Sequence, residues 1–361
     1  MSLKKSLAKQ KAKVTGSLNQ KTDGVFGLPV FGTHEGQEIL LNVIDRISKS
    51  PFGSEILKDA AKAGYGVSLA FLGNSKGCCN PDKNCLFLSD NLSEDDMVAT
   101  LVHEARHAGQ FHRGCHKSFY DIDAQSTLTE TRLTEADATA CALAVCAELS
   151  EKGDVRPFGE LYRAYPNESR TFAETYIKKG NEGLPEAMTA AVDAWYGNEA
   201  LKMAYERCYL VEPLAEGFNT AAKRPAPKSV PVEETLAKVC TFKGGTYFSM
   251  PLSVFASEKY AAVSSPTYGW LQKYSEGWEA FYNEKCRDKS LESMKEFYVT
   301  PMLEKIVESN FGKMPVPVSE RPEVLKIRMK RDKAFEKYFN KSSQKKDNTA
   351  LLISEMRERG R

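Results

Sequence analysis

No run of 18 apolar residues occurs anywhere in the 361-residue chain. A helix needs about that length to cross a bilayer, so no membrane span is expected. Residues 1–21 also lack the apolar core of a secretory signal peptide. They carry six Lys and no acid. Histidine is scarce: there are five, and four of them fall between His103 and His116. The nine cysteines are an odd count, and Cys141, Cys146 and Cys208 sit in helical patterns as small core residues. Without a signal core, this use of cysteine points to the reducing cytoplasm. The alternative is an N-terminal Lys/Ser/Gln-rich arm read as an export signal by a dedicated secretion system.

With 42% hydrophobic and 27% charged residues, the composition is that of a soluble globular protein. The net charge of +2 conceals a segregation. The first 21 residues hold +6 and residues 321–361 hold +7, which leaves −11 on the body between them. Basic ends can attract nucleic acid, acidic lipid or an acidic partner. Solvated, partly disordered ends are the plainer reading, and nucleic acid is not expected as a partner.

The densest chemistry lies in Leu101-Val102-His103-Glu104-Ala105-Arg106-His107-Ala108. On a helix, residues four apart share a face, so His103 and His107 can direct two imidazoles at one zinc ion. Glu104 lies beside that face, within reach of a water at the metal, as a general base would. The helical context is supplied by Met97, Val98, Leu101, Val102, Ala105 and Ala108, which follow three-and-four spacing. Ser93 followed by Glu94, Asp95 and Asp96 predicts a capped, acidic helix start. Continuing the helix puts His112 about 180° and His116 about 220° from His103, so neither is expected to join the same ion. His34 falls in a Gly-containing entry loop and is given no role.

A third protein ligand is needed, and its type separates the families that share this motif. A metzincin places Gly three residues and His six residues after the second His. Gln110 and Arg113 stand there instead. A gluzincin takes a Glu from a following helix, and residues 127–152 predict such a helix. Its centre, Leu133-Thr134-Glu135-Ala136-Asp137-Ala138-Thr139-Ala140-Cys141, is rich in small residues that allow two helices to approach closely. Glu135 is the expected third ligand and Glu130 the alternative. Asp137 is assigned to a supporting or surface position.

On these residues the chain resembles the zincin metallopeptidases, on their gluzincin side. It resembles more closely a bacterial group of metallopeptidase domains that carry His-Glu-x-x-His and a later Glu-Ala-Asp-Ala helix. The matching residues are His103, Glu104, His107 and Glu135-Ala136-Asp137-Ala138, and the likeness spans about residues 26–216. It implies a zinc cofactor, a water activated at it, and hydrolysis of a peptide or protein substrate. The thermolysin-type Glu-x-x-x-Asp pattern is absent, because the fourth residue after Glu135 is Thr139. By the same resemblance, the strand before the motif helix, residues 86–89, is the candidate edge for an extended substrate.

The expected architecture is α+β and mostly helical: a minimal zincin-like domain with a small sheet and an additional helical C-terminal region. Leu40, Val43, Ile44 and Ile47 mark a first helix closed by Ser50-Pro51, and a second runs over 54–63 to Gly64. Strands are predicted at 65–72 and 85–89, with a Cys78/Cys79/Cys85 loop of free thiols between them. Further helices are predicted at 171–179, 185–196 and 198–214, with Trp195, Tyr196, Tyr205 and Tyr209 as a core group. The expected organisation is an arm over 1–24, the metallopeptidase domain over 25–216 with a loop containing short helical pieces at 154–167, a Pro/Lys-rich linker over 217–232, a helical region over 233–320 with helices at 233–241, 253–262, 267–287 and 291–310, and a basic region over 321–361 with a helix at 323–339 and a tail. The competing functional reading is an interaction protein on a structural or degenerate zinc site, with its function carried by the helical C-terminal half and the basic ends. Retention of Glu104 favours the enzyme, because a structural site needs no base.

Overall fold

The computed structural model describes residues 21–115, 122, 124–206, 209 and 228–263. The helices expected at 267–287 and 291–310, the basic helix at 323–339, residues 1–20 of the arm expected over 1–24, His116 and Cys208 lie outside the described residues, while Lys21–Asp23 of that arm form a strand. The fold is mostly helical, with one small mixed sheet and a separate two-stranded one, an α+β fold. The chain forms two compact units. One contains the described residues up to Gly114 together with Ala136–Val192, and the other contains Cys115–Glu135 and the described residues from Asp193 onward.

The first unit is built on strands β1 (Lys21–Asp23), β2 (Pro29–Phe31), β3 (Gly66–Ala70), β4 (Gly77–Asn80) and β5 (Cys85–Ser89). Their order across the sheet is β1-β2-β3-β5-β4. β2, β3 and β5 run parallel, while β1 and β4 pair antiparallel at the two edges. This corrects two expectations. Cys78 and Cys79 lie in a strand, not a loop. β5 is flanked by β3 on one side and β4 on the other, so residues 86–89 are not the edge; β4 is. All five β5 residues are buried, as a strand covered on both faces requires.

Two helices cross from β2 to β3. In α1 (His34–Ser48), Leu40, Val43, Ile44 and Ile47 are fully buried, as their spacing predicts. α2 (Pro51–Lys62) begins three residues earlier than expected. The Ser50-Pro51 pair that ends α1 also opens α2: Ser50 accepts from the Gly53 amide at 2.8 Å, and Pro51 occupies the first turn, where its missing N–H is harmless. The buried carboxylate of Glu148 accepts from the Ser50 hydroxyl at 2.5 Å and the Phe52 amide at 3.1 Å, placing negative charge at the helix start. At the other end Gly64, with φ +83°, donates to Ala61 and Tyr65 donates to Ala60, and this turn delivers the chain into β3.

The motif helix α3 (Glu94–His112) follows β5, and α4 (Ala124–Glu151) follows α3. α4 enters from the second unit and continues into the first, where Ala138, Ala140, Cys141, Ala142, Leu143, Ala144 and Val145 are all fully buried. A helix apolar on every side is a core helix. Residues 154–167, expected to be mainly loop, form α5 (Arg156–Ala164). Next, α6 starts at Pro166, five residues before the predicted 171–179 helix (Pro166–Lys179). Arg46 ties the unit together by donating to Asp95 at 2.7 Å and Asp154 at 2.9 Å.

In the second unit, the end of α7 (Leu184–Tyr196) and α8 (Glu199–Glu206) carry the expected aromatic group. Tyr196 stacks on Tyr260 with 4.0 Å between ring centroids, and Trp195 meets Tyr205 at 5.7 Å. Trp195, Tyr196 and Tyr260 are buried, whereas Tyr205 and Tyr209, the latter beyond α8, are half-buried. α9 (Val232–Val239) is followed by the β6 (Thr241–Phe242) and β7 (Gly245–Thr246) hairpin, which turns on Lys243 and Gly244, both at positive φ. The helix expected at 253–262 is a 3₁₀ turn over Leu252–Ala256 followed by a single helical turn, Glu258–Ala261.

Candidate metal centre

α3 starts as its sequence predicts. Ser93 accepts from the Asp96 amide at 3.1 Å, and Glu94, Asp95 and Asp96 fill the first turn. Met97, Val98, Leu101, Val102, Ala105 and Ala108 are buried, which fixes the rotation of the helix and hence the direction of its polar residues. His107 and Glu104 are buried with them, and His103 is partly exposed.

The two imidazoles meet edge to face, with centroids 4.7 Å apart and planes at 83°. Their Nε2 atoms are 3.1 Å apart. Two bare nitrogen lone pairs at that distance repel, so the arrangement needs a proton or a cation between them. Ligand bonds of about 2.0–2.1 Å at tetrahedral angles would separate two nitrogens by about 3.3–3.4 Å, close to what is seen. Glu135 completes the set: one ligand atom from each of His103, His107 and Glu135 lies within 4.8 Å of the others. Among the described residues this is the one such group, and Glu130, although buried, is not in it. Two neutral imidazoles and a carboxylate are a donor set that suits zinc.

Asp137, two residues beyond Glu135 on α4, explains how that helix is held. It is fully buried and takes both arms of Arg106 of α3, Nε to Oδ2 at 2.6 Å and the terminal nitrogen to Oδ1 at 3.1 Å. Gln110 donates to the same Oδ2 at 2.7 Å, and its Oε1 lies 2.7 Å from Nδ1 of His107. Phe111 stacks on the His107 ring at 6.1 Å. Asp137 is thus a supporting residue, the first of the two positions foreseen for it. His112 is exposed, and His34 stands at the exposed start of α1 beside Glu38, so neither joins the group.

Glu104 is covered by strand β4. A Cβ built on Gly77 would lie 2.6 Å from Glu104 Oε1, 2.7 Å from its Cγ and 2.6 Å from the Thr100 methyl. Only a glycine lets the strand approach this closely. Sequence reasoning passed over Gly77, although a Gly inside a strand is a signal of close backbone approach. It also treated Gln110 only as a missing metzincin glycine.

Burial, and then the Glu104 charge, push the pKa values of the Cys79 and Cys78 thiols upward. Burial pushes Cys85 up to about 12, against the opposing effect of Lys83. Among the described residues, Cys78, Cys79 and Cys85 do not form a metal-ligand group. All three are free cysteines.

The model of the family described as "Putative metallopeptidase family (DUF6782)" matches residues 26–250. No curated protein and no solved structure matches the chain.

Proposed function

The chain belongs to the putative metallopeptidase family, and on that premise we propose that it is a zinc-dependent peptidase in which His103, His107 and Glu135 hold the ion and Glu104 is the general base. The observation that carries this reading is the convergence of the three donor side chains, with the buried carboxylate of Glu104 on the helix of the two histidines. Bound zinc would supply a Lewis acid that polarises the scissile carbonyl and makes water a better nucleophile. Glu104 takes the proton of the attacking water and passes it to the leaving amine. Its burial and the covering strand confine the carboxylate, which a base needs if it is to meet one water in one place.

The edge strand β4 is the natural dock for the substrate. It pairs with β5 on one side only, and its backbone lies over Glu104. An extended peptide adding to that edge would gain main-chain hydrogen bonds and bring its carbonyl toward the base. The compartment we propose is the reducing cytoplasm, on the use of cysteine as small core residues in the sequence. No helix among the described residues is long and apolar enough to cross a membrane.

The test pairs metal analysis with a peptidase assay of parent and Glu104→Gln. The variant is expected to keep one zinc per chain and to lose turnover by at least about 10²-fold, as expected when a general base is removed. Loss of zinc from Glu104→Gln would make Glu104 a ligand and overturn the mechanism. A zinc-loaded parent that cleaves no peptide would return the protein to the non-catalytic reading.

A further inference from the structure

The contacts around His107 form a directional chain. Arg106 is a permanent cation with donors only, so the Asp137 carboxylate it grips is an acceptor at both oxygens. Gln110 reaches Asp137 Oδ2 at 2.7 Å. Only the NH₂ end of an amide can donate to a carboxylate. The opposite orientation would set two acceptor oxygens face to face at that distance. The orientation of Gln110 is therefore dictated by Asp137, and its oxygen must face His107. That oxygen is 2.7 Å from Nδ1, so the ring must bring a hydrogen to Nδ1. A neutral imidazole protonated at Nδ1 has a bare lone pair at Nε2, the atom directed at His103 and the centre of the site.

We infer that Gln110, oriented by the Asp137–Arg106 pair, fixes the His107 proton on Nδ1 and so presents Nε2 ready for the metal. Gln110 is a positioning residue, and the inference rests on the metal-centre reading above. The burial makes it consequential: Gln110 and Asp137 are fully buried and Arg106 is 4% exposed, so water cannot substitute for a missing partner. This relay does the work that a carboxylate bonded directly to the imidazole would do elsewhere, and it places a neutral amide between His107 and the charge. His103 is partly exposed.

The experiment reads the tautomer directly. The ¹⁵N–¹H correlations of the histidine rings would be recorded on the metal-free full chain and on Gln110→Met, which keeps the volume and removes the acceptor. Zinc affinity would be measured for both by chelator competition. The parent is expected to show His107 as the Nδ1–H tautomer. Gln110→Met is expected to show mixed tautomers and zinc affinity lower by about 10–100-fold, with near-UV circular dichroism unchanged. His107 as Nε2–H in the parent would overturn the inference, as would an unchanged tautomer and affinity in the variant. The parent spectrum decides even where the variant does not fold. A parent that shows the expected tautomer and binds no zinc would refute the metal reading while upholding the relay.

Discussion

Gly77 shows how a residue without a side chain can govern one that has a reactive side chain. Of the atoms a new methyl group would meet, Glu104 Oε1 can swing away, but Glu104 Cγ and the Thr100 methyl are fixed close to the α3 backbone. Gly77→Ala must therefore displace either β4 or the carboxylate. Because the three donor residues are untouched, zinc content is expected to stay at the parent value while kcat/KM falls by at least about tenfold, equivalent to about 1.4 kcal/mol of transition-state stabilisation. Metal analysis beside steady-state kinetics would check this, and parent-like kinetics would show that Glu104 is not held by the strand. The nearness of His103 and His107 was legible in the sequence because the helical repeat alone puts them on one face, whereas Glu135 was named from the gluzincin pattern of a Glu on a following helix together with the small residues around it. Gly77 and the Gln110–Asp137 link were not legible. Each depends on which strand or helix lies opposite, and local spacing carries no such information.

At the scale of elements, the closeness of α3 and α4 is what lets Arg106 and Gln110 reach Asp137. Ala140 and Cys141 lie three and four residues after Asp137 and so share its face, and Cys141 Sγ approaches Asp137 Oδ1 at 3.7 Å. Ala140 is fully buried there. Ala140→Leu adds three carbons to a filled interface and is expected to cost about 1–3 kcal/mol of stability. It is also expected to weaken zinc binding, by prising α4 from α3. Denaturant unfolding and a zinc competition on the same sample would test both halves. Lost stability with unchanged zinc affinity would mean that helix spacing does not set the site. α1 and α3 were readable because apolar periodicity and end signals agree, and α4 because a long run of small apolar residues precedes Gly153. β4 was missed because Gly77-Cys78-Cys79-Asn80 has neither alternation nor β-branched residues; its pairing with β5 makes it a strand. The same omission put the sheet edge one strand too far inward.

At the scale of the whole molecule, the two units interleave along the chain: Cys115–Glu135 belongs with residues after Asp193, while Ala136–Val192 belongs with the sheet. Composition could report the charge segregation between the ends and the body, but interleaving leaves no periodic trace in a sequence. Within the second unit the long-range tie is Arg132. It is 1% exposed, donates to Glu206 at 2.5 Å, and reaches the carbonyls of Tyr260 at 2.7 Å and Ala262 at 2.8 Å. One guanidinium thus joins the first half of α4 to α8 and to a turn almost 130 residues along the chain. Both ions of the pair are out of water, so their attraction mainly offsets the cost of burying them, and removing one partner of such a pair is strongly destabilising. Arg132→Ala is accordingly expected to destabilise this unit by about 3–5 kcal/mol, with Glu206 left buried and two carbonyls unpaired. The double change Arg132→Met with Glu206→Leu removes both charges at similar volume and is expected to recover most of that loss. Chemical denaturation of the two variants separates the possibilities. A loss below about 1 kcal/mol for Arg132→Ala would mean that the tie is dispensable. A double variant as unstable as the single one would locate the loss in the two carbonyls and not in the buried carboxylate.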